Sequence, residues 1–162
     1  MTPDDLPQIS RLRHTLHRWS DSDRGAHAAI RRAEPGDLAT PALWKLFATC
    51  DLDPPSDDAA RPWALTAWAL ATLGEADSRA SLGQAMHAAG ISELRLVRLL
   101  RADPAQLPDA LRAVVRQLLA KGLNADAVQL LRLVQTDPAS DAGERARMVV
   151  ARDYYRAERA AR

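Results

Sequence analysis

Residues 81–103 read SLGQAMHAAGISELRLVRLLRAD, and this stretch constrains the fold more than any other in the chain. Ser81 followed three residues later by Gln84 is a capping box, in which each side chain satisfies a backbone donor that the first helical turn leaves open. Gly90 is placed to end that helix, because glycine takes the left-handed conformation common just past helix C-termini. Ser92 starts a second helix, and Asp103-Pro104 stops it. The stretch is therefore two capped helices joined by a tight turn. The second carries Arg95, Arg98 and Arg101 three residues apart, which at about 100° per residue draws an arginine stripe along one side. Its other residues are nearly all Leu and Val. Such a helix packs one side into a core and holds fixed positive charge on the other.

The same period runs through the rest of the chain. Leu6, Ile9, Leu12, Leu16 and Trp19 recur at spacings of three and four and predict a first helix over about 7–19. Asp21-Ser22-Asp23 is a break with N-cap character, and RGAHAAIRRA follows as a short helix ending before Pro35-Gly36. Thr40-Pro41 opens a helix that carries Leu43, Trp44, Leu46, Phe47 and Cys50. Residues 51–61 read as a polar loop, after which Pro62 opens the very apolar WALTAWALATL, expected at the centre of the core. Residues 74–80 read as a second loop. Over 108–121 the pattern is amphipathic, with Leu111, Val114, Val115, Leu118 and Leu119 inward and Arg112 and Arg116 outward. Asn124 is read as the cap of the next helix, with Val128, Leu130, Leu131, Leu133 and Val134 as its apolar positions. A turn over 136–140 precedes a last helix from about Asp141. No long segment alternates apolar and polar residues, and strand-favouring residues are sparse beside the helix formers Ala and Leu. The expected fold class is all-α: one bundle of eight or nine helices in a single domain over 1–162, with 1–90 and 91–162 as candidate sub-bundles. At 47% hydrophobic residues the chain has enough apolar material for that core.

Net charge is only +1, so charge distribution matters more than its total. Residues 92–121 hold six Lys/Arg against three Asp/Glu, and residues 144–162 hold six against three, within an otherwise mildly acidic chain. All the basic residues except Lys45 and Lys121 are arginine, whose planar fork suits phosphate. The lone cysteine, Cys50, excludes an intramolecular disulfide, fits a reducing cytoplasm and reads as a buried small hydrophobe. The N-terminal MTPDDLPQ has no signal-peptide character, and no apolar run is long enough to span a bilayer.

Catalytic chemistry finds no set of residues to rest on. His14 and His17 lie one turn apart, but no further ligands stand at metal-site spacing, so no metal or other cofactor is expected. The acidic pairs Asp51/Asp53 and Asp57-Asp58 read as solvated loop residues and Ser81 as a cap, so no catalytic residue is expected. Trp19, Trp44, Trp63 and Trp68 sit at core spacing. Tyr154 and Tyr155 diverge on a helix, one toward the core and the other toward a surface. The arginines remain: the stripe Arg95, Arg98 and Arg101, then Arg112 and Arg116, and the pair Arg31 and Arg32 that ends the second helix. Several helices turning arginines toward one groove would bind a phosphate backbone. The same arginines could instead meet acidic partners, in a helical protein–protein adaptor with no nucleic-acid role.

Three segments, AAIRRAEPGDLATPALWKLF, SLGQAMHAAGISELRLVRLLRAD and ARDYY, occur in the order that resembles the CasB family, the small subunit of the type I-E CRISPR surveillance complex Cascade. The resemblance covers about residues 24–155. It departs at Val150, where the family often carries tryptophan, and the pattern is loose over 128–134. The resemblance implies a non-enzymatic helical protein that sits as a pair along Cascade. Its implied partners are a second copy of itself, the backbone subunits, the large subunit and the crRNA-processing endonuclease subunit. It implies binding to the crRNA–target DNA pairing and to the displaced non-target strand, without sequence specificity, in antiviral defence. Arg31 and Arg32 match the family's basic pair, and Arg95 and Arg101 match basic positions of its RLLRAD-type block. Arg24, Arg98, Arg112 and Arg116 join them from the residue pattern alone. The C-terminal arginines are expected to face partner subunits or solvent.

Overall fold

Helix follows helix with short connections. A computed structural model describes residues 5–74 and 80–162, and these form nine helices and no strand. They are α1 (Asp5–Ser22), α2 (Arg24–Arg32), α3 (Pro41–Thr49), α4 (Asp57–Leu73), α5 (Leu82–Ala88), α6 (Glu93–Arg101), α7 (Leu107–Ala120), α8 (Ala127–Gln135) and α9 (Asp141–Ala160). The all-α expectation holds. Residues 75–79 of the loop expected over 74–80 lie outside the described residues.

Helix α4 is the centre of the core, packing on α1, α2, α7 and α8. Every residue over 63–71 is buried, as a helix apolar on all sides must be. Trp63, Leu65, Trp68 and Leu70 supply volume, while Ala60, Ala64, Ala67, Ala69 and Ala71 let neighbouring helices come close. Thr66 is polar and fully buried, but its hydroxyl donates to the Pro62 carbonyl at 2.8 Å and is not stranded. The helix begins earlier than the sequence suggested. Ser56 caps it, accepting from the Ala59 N–H at 3.2 Å. Asp57 and Asp58 therefore belong to its first turn and not to a loop, where the positive end of the helix dipole favours them. Pro62 lies inside α4, near its exposed start, and forfeits only the bond to Asp58.

Other expectations shift for equally local reasons. Helix α1 runs on to Ser22, so Asp23 alone separates it from α2 and caps the latter by accepting from the Ala26 N–H at 3.2 Å. Leu6, Trp44 and Leu119 were expected inside and are 43%, 43% and 48% exposed. Trp44 is held at the surface because its indole N–H donates to the Leu38 carbonyl at 2.8 Å and its ring meets Phe47 edge-on. Helix α8 is capped by Asp126, which accepts from the Gln129 N–H at 2.7 Å. Asn124 is instead buried and donates to the Gly74 carbonyl at 2.9 Å, tying the end of α4 to the α7–α8 connection.

Helices α5 and α9 make the closest pairing in the fold. A Cβ on Gly83 would lie 2.2 Å from the Val150 carbonyl oxygen, so only glycine permits this approach. Tyr154 closes the same junction, its hydroxyl donating to the Ile91 carbonyl at 2.5 Å. Of the adjacent tyrosines, Tyr154 is thus the core residue, while Tyr155 is 39% exposed. Among the described residues no helix is long and apolar enough to cross a membrane.

Candidate nucleic-acid interface

The arginine stripe stands on a helix that follows a locally fixed one, with Ser92 at its N-cap position but making no side-chain cap hydrogen bond. The capping box of α5 is complete, with Ser81 and Gln84 each bonding the other's backbone N–H. Gly90 has φ +69° and lets the chain reverse, so that the Ile91 N–H returns to the Met86 carbonyl at 3.0 Å. Helix α6 then buries only Leu96 and Leu99. Arg95, Arg98 and Arg101 are all exposed.

Contacts between helices orient the stripe. Arg95 donates from Nη1 to the Gln117 side-chain oxygen on α7. Gln117 donates in turn to the Ala89 carbonyl at the end of α5, 3.0 Å away. The opposite edge of α6 meets α9, where the Tyr155 hydroxyl donates to Glu93 Oε1 at 2.5 Å and Arg147 Nε donates to the Leu100 carbonyl at 3.0 Å. Arg95 therefore stands on the α7 side of α6. Arg101 is turned from it by about 120° at 100° per residue.

Helix α7 links to α2 through Arg112. Its guanidinium forms an ion pair with Glu34, just past the end of α2, and also approaches Asp109 Oδ1 at 3.7 Å. That pair holds Glu34 beside α7, two residues past the α2 terminus, where Arg31 and Arg32 are exposed. Cations suit that position, since the C-terminal end of a helix is its negative pole. Helix α7 thus meets the segment after α2 through Arg112 and the Arg95 side of α6 through Gln117, two positions about 140° apart around the helix at 100° per residue. No such contact draws in Arg98 or Arg101, and Arg24 lies at the other end of α2 from Arg31.

The arginines differ in what already holds them. Among the described residues, Arg24, Arg31, Arg32, Arg95, Arg98, Arg101 and Arg116 form no ion pair. Arg112 is half-buried, and its charge is compensated by Glu34 and Asp109. The spacing that put Arg112 and Arg116 on one outer face could not reveal the Glu34 pair, because Glu34 is 78 residues away in the chain. Gln117 and Glu34 are the positioning residues that sequence reasoning missed, and no local signal marks either.

Arg147 corrects the expectation for the C-terminal arginines. It is 92% buried, being 8% exposed, and spans α9 and α6 by donating from Nη1 to the Gly143 carbonyl and from Nε to the Leu100 carbonyl. Burial pushes its guanidinium pKa below the ordinary arginine value. It lines a cleft of about 740 Å³, beside Pro35, Pro62, Pro104, Pro108 and Pro138. Cys50 is fully buried near Thr15, and burial pushes its thiol pKa up, as expected of a packing residue rather than a nucleophile. Among the described residues no three His, Cys, Asp or Glu side chains come together as a metal site.

Residues 26–155 match the family model for CRISPR-associated protein Cse2. Neither curated proteins nor solved structures give a match to the chain. The chain belongs to the Cse2 (CasB) family, the non-catalytic small subunit of the type I-E CRISPR complex Cascade.

Proposed function

We propose that the chain binds nucleic-acid backbone within Cascade, without reading sequence, and so stabilises the crRNA–target pairing and the displaced strand of the R-loop in antiviral defence. It acts in the cytoplasm, beside the backbone, large and endonuclease subunits and a second copy of itself. The binding residues are Arg31, Arg32, Arg95, Arg98, Arg101, Arg24 and Arg116, with Arg112 contributing less because Glu34 and Asp109 already engage it. What supports this reading is that arginines without an ion pair among the described residues stand on α2, α6 and α7, with α7 tied to the segment after α2 by Glu34–Arg112 and to α6 by Gln117–Arg95. Unpaired guanidinium groups on rigid helices meet phosphate without first giving up a carboxylate partner.

The test is R-loop retention by Cascade assembled with the Arg31→Ala/Arg95→Ala/Arg101→Ala variant, followed across a salt titration. Retention is expected to weaken and to depend less steeply on salt, while the circular dichroism of the free subunit stays helical. Retention equal to that of the unaltered complex at every salt concentration would refute the assignment.

A further inference from the structure

Helix α9 carries a second set of arginines that the proposed interface does not use. Its buried side is Gly143, Arg147, Val150 and Tyr154. On the opposite side stand Arg145, Arg152, Arg156 and Arg159, all exposed and spaced by seven, four and three residues. They form a ridge of about 21 Å at 1.5 Å per residue. Arg152 alone of these pairs with a carboxylate, that of its neighbour Asp153 at 3.2 Å, among the described residues.

Both flanks of the ridge carry apolar side chains, with Glu144 and Glu93 beside Met148 and Tyr155 on one of them. On one side a groove of about 320 Å³ runs between α8 and α9, with Arg132 and Arg145 on its walls over Ala142, Ala146 and Val149. No carboxylate lines it. On the other side Met148 is 60% exposed and Tyr155, two turns further on, 39%. Two of the six large hydrophobic side chains exposed among the described residues thus border this ridge.

This composition separates the ridge from a phosphate-binding surface. Exposed Met148 and Tyr155 make no ionic contact with a sugar–phosphate backbone, but they suit the apolar centre that a protein interface buries, with arginine as the enriched cation. We propose that the outer face of α9 is a docking surface for a partner subunit whose own surface is acidic around an apolar centre, with one of its carboxylates seated between Arg132 and Arg145. The proposal rests on the chain acting as a subunit of a larger complex, and is independent of which arginines meet nucleic acid.

The experiment scores assembly and nucleic-acid binding separately. The full chain is co-expressed with the remaining subunits of its complex as wild type, as Arg132→Glu/Arg145→Glu/Arg156→Glu, as Met148→Asp, and as the Arg31→Ala/Arg95→Ala control. The free subunits are titrated with a single-stranded DNA oligonucleotide. Both α9-face variants should assemble more than about tenfold more weakly, as loss of interfacial charge pairs or of a buried anchor does, and should bind the oligonucleotide like wild type. The control should assemble normally and bind the oligonucleotide more weakly; if it binds normally, the nucleic-acid reading fails and the α9 proposal stands on its own result. Normal assembly by Met148→Asp or by the arginine variant overturns the proposal. So does loss of oligonucleotide affinity in a folded α9-face variant, which would make the ridge a nucleic-acid surface. If the triple reversal melts below wild type, Met148→Asp at its exposed position carries the test alone.

Discussion

Helices α4 and α6 are both rich in leucine or alanine, yet they are used in opposite ways. Helix α4 is buried over every residue of 63–71 and touches four other helices. Helix α6 buries Leu96 and Leu99, half-buries Val97 and Leu100, and turns everything else outward. The difference lies in the positions between the large apolar residues. In α4 they are alanines and one self-satisfied threonine, which allow neighbours on all sides. In α6 they are arginines, which cannot be buried without a partner and so fix one side in water. Helix α4 therefore serves the core on all sides, while α6 gives one side to the core and leaves the other in water.

The contrast breaks most readily at Trp68, which is 6% exposed in the middle of α4. Trp68→Ala should cost about 3–5 kcal/mol in denaturant unfolding, from lost burial plus the cavity left behind. A cost below about 1 kcal/mol would mean that α4 is not the centre of the core. Within α6 itself the contrast becomes internal. Leu99 is fully buried, and Leu99→Ala should cost about 2–5 kcal/mol. Leu94 is 78% exposed, and Leu94→Ala should stay within about 0.5 kcal/mol. Equal costs at the two leucines would contradict the one-sided packing of this helix.

What the sequence made legible follows from the range over which each residue acts. The Ser81–Gln84 capping box, the Gly90 reversal and the Thr40-Pro41 start depend on neighbours within one turn, and all three stand as read. Asp126 and Asn124 show the limit: both are good caps, and the choice between them turns on Asn124 reaching the Gly74 carbonyl, 50 residues away. Arg147 and Arg152 show it again. They share one helix and one residue type, but Arg147 is drawn inside by the Leu100 carbonyl while Arg152 stays at the surface beside Asp153. A helical period separates inner from outer faces. It does not show which polar side chain on the margin has a distant partner waiting, and the candidate interface is made of such margins.

The outward side of α6 should be nearly silent in stability. The Arg95→Ala/Arg98→Ala/Arg101→Ala variant removes exposed side chains whose one described hydrogen bond between helices is that of Arg95 with Gln117. Each change should cost no more than about 0.5 kcal/mol of unfolding free energy. If these arginines meet phosphates, the slope of log affinity against log salt for single-stranded DNA should fall by about 2, at roughly 0.7 per contact. Loss of stability without a change in slope would show that the stripe serves packing and not binding.

The smallest effect sharpens the same division on α7. Arg116 is exposed and forms no ion pair among the described residues, whereas Arg112, one turn earlier, is held by Glu34. Removing Arg112 would also uncover the Glu34 charge, so an alanine at that position mixes two effects. Glu34→Gln is the cleaner change, because it releases the Arg112 guanidinium while keeping the shape of its partner. The ion pair is largely exposed on its Glu34 side, 75% by side chain, so little folding stability is at stake. Oligonucleotide affinity should rise by roughly twofold to fivefold, the range expected for a modest coupling between neighbouring charges. The gain should survive in an Arg116→Ala background and shrink in an Arg112→Ala background. An equal gain in both would mean that Glu34 acts by general repulsion of the strand. A gain that vanishes only without Arg112 would show that Glu34 restrains that arginine, and that paired and unpaired guanidinium groups on one helix face contribute unequally to binding.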